Sequence, residues 1–88
     1  MTNEDIAKET VRQLSRRAVE SSICPSEVAR ALQSDEAAWR NLMPQVREVA
    51  AALCQQGRLR ITRRGIDVPL ADLHHGAIRL ARGPNFEV

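Results

Sequence analysis

The spacing of apolar residues changes at Gly57, and this change limits what the chain can fold into. Before it, Val46, Val49, Ala50 and Leu53 in "PQVREVAAALCQQG" recur three and four apart. That spacing gathers them on one face of a helix which Gly57 is suited to end. After it, Leu59 and Ile61 alternate with Arg58, Arg60 and Thr62, and later Ile78 and Leu80 alternate with Ala77, Arg79 and Ala81. A period of two belongs to strands with one buried face. The chain therefore reads as helical first and as a ribbon last.

Upstream of Gly57 the helical period appears twice more. Ile6, Thr10, Leu14 and Ala18, flanked by Ala7 and Val11, predict a helix near residues 4 to 20. In "CPSEVARAL" Pro25 is pre-set for a first helical position and Glu27 suits the positive helix end, so a second helix runs near 25 to 33 with Val28, Ala31 and Leu32 inward. Its entry residue Ile23 can pack back on it. "SDEAAWRNLMP" opens with Ser34 or Asp35 as a cap and gives a helical turn through Trp39 and Leu42; Pro44 then disfavours helix at Met43 and starts a third helix near 44 to 56. Strands are expected near 58 to 63 and 77 to 82 as an antiparallel pair. The intervening "RRGIDVPLADLHHG" reads as a long loop rather than a tight turn. The expected core holds Leu14, Val28, Leu32, Val46, Val49, Leu53, Ile61 and Ile78. One domain is expected over residues 1 to 88, with 1 to 3 and 83 to 88 as flexible ends and Phe86 free to dock or not. The fold class is α+β: three helices, then a two-stranded antiparallel ribbon with a long wing loop, the element order of a winged helix-turn-helix.

"CPSEVARAL", "WRNLMPQVREVAAAL", "GRLRITRRG" and "GAIRL", in this order and spacing, resemble a family of small bacterial proteins described as domain of unknown function, family 3253. The likeness extends from about Ser21 to Leu80. It implies a winged-helix-like fold and no particular activity.

An 88-residue chain can bury one modest core and has no room for a deep cleft between lobes, which argues against an enzyme. No glycine-rich phosphate loop, dinucleotide fingerprint or paired-carboxylate motif occurs. Ser26 beside Glu27 is a helix start without a histidine to activate it. Cys24 and Cys54 lack metal or disulfide spacing and read as small packing residues. His74 and His75 are neighbours whose side chains diverge, poor geometry for gripping one ion even with Asp67 and Asp72 near. No cofactor, metal or small-molecule substrate is expected. No apolar run approaches the roughly 20 residues that cross a bilayer, and the acidic start lacks a signal peptide's pattern, so no membrane role and a cytoplasmic address are expected.

Charge is what remains to interpret. Residues 1 to 56 hold seven Lys or Arg against eight Asp or Glu, whereas residues 57 to 82 hold six arginines against Asp67 and Asp72. If Leu59, Ile61, Ile78 and Leu80 share the core face of the ribbon, then Arg58, Arg60 and Arg79 share the other, where like charges opposite one another destabilise unless an anion intervenes. Arg63, Arg64 and Arg82 flank them, and Arg47 and Arg40 sit on and before the third helix. These eight arginines are the candidate contacts to a DNA or RNA backbone, with Glu20 and Glu87 as internal alternatives. The outward face of the third helix, Arg47, Glu48, Ala51, Ala52 and Gln55, is a poor reader of bases. Its alanines suit close approach of a protein partner or a second copy. Trp39 reads as a core anchor and, if exposed, as a stacking surface. Two functions follow: weak, sequence-indifferent nucleic-acid binding through an arginine ribbon, or a protein-interaction or dimerisation module.

Overall fold

The computed structural model describes residues 1–88. Its order is α1 (Asn3–Ser15), β1 (Ser22–Ile23), α2 (Pro25–Leu32), α3 (Glu36–Gln55), β2 (Leu59–Arg63), β3 (Ile66–Asp67), one turn of 3-10 helix (Leu70–Asp72) and β4 (Arg79–Arg82). Three helices lie with one antiparallel sheet of four strands, ordered β1-β4-β2-β3. The expected pair, β2 with β4, forms its centre, and two short strands that sequence periodicity did not mark extend it on either side.

Each helix starts where a side chain can satisfy its free amides. Thr2 accepts from the Asp5 amide at 3.1 Å while Asp5 accepts from the Thr2 amide at 3.3 Å, a reciprocal cap. Pro25 opens α2 and Glu27 accepts from the Cys24 amide at 2.8 Å. Asp35, rather than Ser34, caps α3 by accepting from Ala38 at 3.1 Å. Gly57 ends α3 as expected: at φ 74° it lets its own amide reach the Cys54 carbonyl and the Arg58 amide reach that of Leu53, which closes the last turn.

Two helix boundaries differ from those expected. α1 stops at Ser15 instead of running to about residue 20, and Ala18 is exposed. The chain must turn back there because Ile23 is wholly buried in the core with Val28 and Ala29 of α2 and also pairs with Leu80 as a strand residue. Arg82 reaches across to receive the ending, donating to the carbonyls of Leu14 at 3.0 Å and Arg17 at 3.1 Å. Pro44 does not restart a helix; it lies inside α3, on the exposed side. An interior proline costs roughly 3 kcal/mol. The helix persists because both halves are held by burial: Leu42 before Pro44, with Trp39 and Met43 half-buried on the core, and Val46, Val49, Ala50 and Leu53 after it.

The core gathers Ile6 and Leu14 of α1, Ile23, Val28 and Ala29, the α3 stripe, and Leu59, Ile61, Ile78 and Leu80 of the ribbon. In α2 Ala29 rather than Ala31 is buried, and Leu32 is only half-buried. The eight-residue helix is rotated to place Ala29, not Ala31, inward. The segment after β2 also departs from expectation. Arg64 (φ 54°) and Gly65 (φ 79°) make a two-residue hairpin turn that returns the chain into β3, with Arg63 opposite Ile66 and Thr62 opposite Asp67. Positive φ at both central residues defines the turn type that matches strand twist. Beyond it the loop folds down: Val68 and Leu73 are buried with the core. At the ends, Gln45 donates to the Met1 carbonyl and Asn3, the Asn85 amide to Gly57, and Phe86 lies half-buried beneath Arg82.

Leu53 joins α3 to the ribbon's start. Leu53→Ala is expected to lower unfolding free energy by roughly 2 to 5 kcal/mol in urea denaturation; a loss under half a kcal/mol would contradict its placement.

Candidate functional site

Twelve of the thirteen basic residues are arginines, and the structure sorts them by what each guanidinium touches. Four face carboxylates: Arg12 with Glu9, Arg17 with Glu27, Arg40 with Glu36 and Arg60 with Asp67, at 2.7 to 2.9 Å. Four donate to neutral oxygens. Arg47 donates to the carbonyls of Leu73 at 2.7 Å and Gly76 at 3.2 Å. Arg63 donates to those of Ala77 at 2.8 Å and His75. Arg79 donates to the Ser22 hydroxyl at 3.0 Å and its carbonyl at 2.9 Å, and Arg82 closes α1. The difference decides which charges are available. A carboxylate cancels a guanidinium; a carbonyl fixes its direction and leaves its charge.

The ribbon's outer face is therefore not the repelling stack expected from sequence. Arg60 stands opposite Ala81 and Arg79 opposite Thr62, so no arginine faces another across β2 and β4. Asp67, brought by the tight hairpin to the strand beside β2, accepts from Arg60 twice through one oxygen, at 3.1 and 2.8 Å. Arg58 lies apart, in an open groove along α1 that it lines with Glu4, Ala7, Lys8, Val11, Arg12, Ser15 and Val88. Arg47, expected outward on α3, is turned into the loop carbonyls. Arg40 stacks on Trp39 at 4.7 Å, with Arg30 also over the ring at 4.5 Å. Trp39 is thus a half-buried core anchor whose ring is already occupied by cations.

Three of the eight candidates do meet. Arg63, Arg64 and Arg79, with His75, Gly76 and Ala77, line one open concavity of about 420 Å³ beside the hairpin, and no carboxylate is among its lining residues. Arg63 and Arg79 are aimed by the neutral oxygens just named. Arg64 is exposed and takes no part in the hydrogen bonds or ion pairs that fix the hairpin. It sits in the left-handed region, which costs a non-glycine residue about 1 kcal/mol. Asparagine would occupy the turn more cheaply.

The loop is held onto α3 by Arg47 and by His74, whose Nε2 lies 2.6 Å from Glu48. The two histidines are used differently: the His74 ring turns to α3, while His75 lines the arginine concavity and accepts from Arg63 through its carbonyl. His75 was the member of the site that sequence reasoning missed, although the divergence of adjacent side chains was its signal. No three His, Cys, Asp or Glu residues come together in metal-binding geometry, and no helix is long and apolar enough to cross a membrane.

Behind Arg79, the Cys24 amide holds the Glu27 carboxyl below the ordinary value of 4.5, with Arg17 and the charge of Arg79 acting in the same direction and partial burial opposing them. A depressed folded pKa adds stability above the ordinary value and loses it as pH falls through the folded one. Glu27→Gln should therefore destabilise at pH 7, and its difference from wild type should shrink as pH drops below about 4.5, in thermal melts at both pH values. Changing Arg58, Arg60 and Arg79 together to Gln, which the sequence pattern suggests would relieve repulsion, should instead cost about 1 to 2 kcal/mol in urea unfolding, because Arg60 and Arg79 lose their partners.

A family model described as a protein of unknown function (DUF3253) matches residues 3–83, so the match takes in α1 as well as the segments noted from Ser21 onward. No curated protein matches the chain.

Proposed function

Starting from the chain's membership of the DUF3253 family, we propose that it is a winged-helix nucleic-acid-binding protein that grips the phosphate backbone with its hairpin and reads little sequence with α3. The element order, helix, strand, two helices and a returning ribbon, with β1 laid beside β4, supports the winged-helix description. The observation that carries the function is the carboxylate-free concavity of Arg63, Arg64 and Arg79. Two of its guanidiniums are oriented by neutral oxygens without a direct ion pair, Arg79 with Glu27 only behind it, so a phosphate oxygen would meet directed donors that lose little freedom on binding.

The same structure supports weak base reading by α3. Its cap and first turn are Asp35 and Glu36, its one cation near that end, Arg40, is engaged by Glu36 and Trp39, and Arg47 is engaged by the loop. Direct readout needs free Arg, Asn or Gln at the groove edge; Asn41 and Gln55 are the exposed exceptions. Phosphate contacts position a protein without specifying sequence.

A protein-contact reading has one observation in its favour, a shallow groove where Ala7 of α1 and Val49, Ala52 and Leu53 of α3 meet. Ala7 and Ala52 would let another surface come close, with Asn3, Glu4 and Glu48 completing the lining. Concentration-dependent mass in sedimentation, with no salt-dependent binding to nucleic acid, would favour it.

For the nucleic-acid reading, about three phosphate contacts predict that log affinity falls against log salt with a slope near −3 on duplex DNA. Fluorescence anisotropy at several salt concentrations measures this. Arg63→Gln with Arg79→Gln should flatten the slope by about 2, whereas Arg40→Gln should leave it unchanged. A slope near zero contradicts the proposal.

A further inference from the structure

The hairpin tip differs from the concavity beside it. Its turn is only two residues, Arg64 and Gly65, and everything behind it is braced: Arg60 to Asp67 on one side, Arg63 to the carbonyls of His75 and Ala77 on the other. Arg64 projects from this rigid base with no partner of its own, in a backbone conformation that glycine or asparagine would adopt with less strain. Directly after the turn, Ile66 is 73% exposed and has no apolar neighbour across the strand pair, where it meets Arg63. The tip therefore presents one uncompensated guanidinium and one bare aliphatic side chain. Asp67, the carboxylate nearest in sequence, is occupied by Arg60.

From this combination we infer that the Arg64–Gly65 tip enters the minor groove of duplex DNA and favours narrow, A·T-rich segments; the inference rests on the nucleic-acid reading above. The major groove, about 12 Å wide, accepts a helix or a whole ribbon, while the minor groove of about 6 Å accepts an inserted side chain. Narrow A·T tracts concentrate negative potential at the groove floor, where an arginine is drawn. Ile66 follows Arg64 and packs its exposed aliphatic side chain on the sugars of the groove wall. Arg63 and Arg79, set back from the tip, take the phosphates at the groove's edge. Recognition by width would let a protein whose α3 is ill suited to reading bases distinguish sequences. An RNA duplex, with its wide and shallow minor groove, offers the tip no such slot.

The test is anisotropy titration of the full chain with short DNA duplexes carrying a central A·T tract or a G·C segment, and with an RNA duplex, alone and with the minor-groove ligand distamycin. The A·T duplex should bind about fivefold to tenfold more tightly than the G·C duplex, and distamycin should remove this advantage. Arg64→Asn relieves the turn, so its melting temperature should equal or exceed that of wild type, and it should bind both DNA duplexes alike. Equal binding of A·T and G·C by the wild type, an advantage that survives distamycin or Arg64→Asn, or tighter binding to RNA overturns the minor-groove inference alone. Failure to bind any of the three duplexes overturns the nucleic-acid reading with it.

Discussion

The pairing of Ile61 with Leu80 at the centre of the sheet determines where the chain's positive charge goes. With these residues opposed, Leu59 joins them toward the helices, while Arg60 and Arg79 fall on the other side and diagonal to one another. A slip of one residue would turn every side chain of a strand over, burying Arg60 of β2 or Arg79 of β4 and exposing that strand's core residues. The hydrophobic cost of that exchange specifies the register. β1 and β3 then add to a centre that is already fixed: Ile23 goes beneath the sheet beside Leu80, and Asp67 arrives where Arg60 can reach it.

A second consequence concerns how arginines are held. On the helices, guanidiniums pair with carboxylates one turn away, as Arg12 does with Glu9 and Arg40 with Glu36; such exposed pairs contribute little stability and leave little field. Around the concavity, with the Arg60–Asp67 pair set behind it in the hairpin, the partners are carbonyls and a hydroxyl. These brace the loop as well as a carboxylate would, because an arginine offers several donors in one plane. They do so without cancelling charge, and the concavity of Arg63, Arg64 and Arg79 is the result. Arg47 and Arg82 show the purely structural version of the same device, one fastening the loop to α3 and the other finishing α1.

Much of this was legible in the sequence where one periodicity ruled alone. The second half of α3, the start of α2 at Pro25 and the two central strands follow from apolar spacing and local punctuation. Local cost alone predicts a break at Pro44; tertiary burial on both sides of it, Leu42 before and Val46 after, outweighs that cost. The end of α1 was hidden because the demand that stops it, the pairing of Ile23 with Leu80, comes from a strand nearly sixty residues downstream. β1 and β3 are two residues each, too short for alternation to register. The site was half legible: Arg63, Arg64 and Arg79 stand out by composition, but their separation from Arg60, Arg40, Arg47 and Arg82 depends on partners that only folding supplies. Reading Arg64–Gly65 as a tight turn would have placed Asp67 diagonal to Arg60.

The central claim is that the hairpin and its concavity, not α3, form the contact surface. Amide chemical-shift mapping of the isotope-labelled protein during titration with duplex DNA tests this most directly. The account predicts shifts concentrated at residues 63 to 66 and 75 to 79, with the α3 amides from Glu36 to Asn41 and from Ala51 to Gln55 nearly still. Shifts centred on α3, or on the groove where Arg58 meets α1, with the hairpin unmoved, would contradict it.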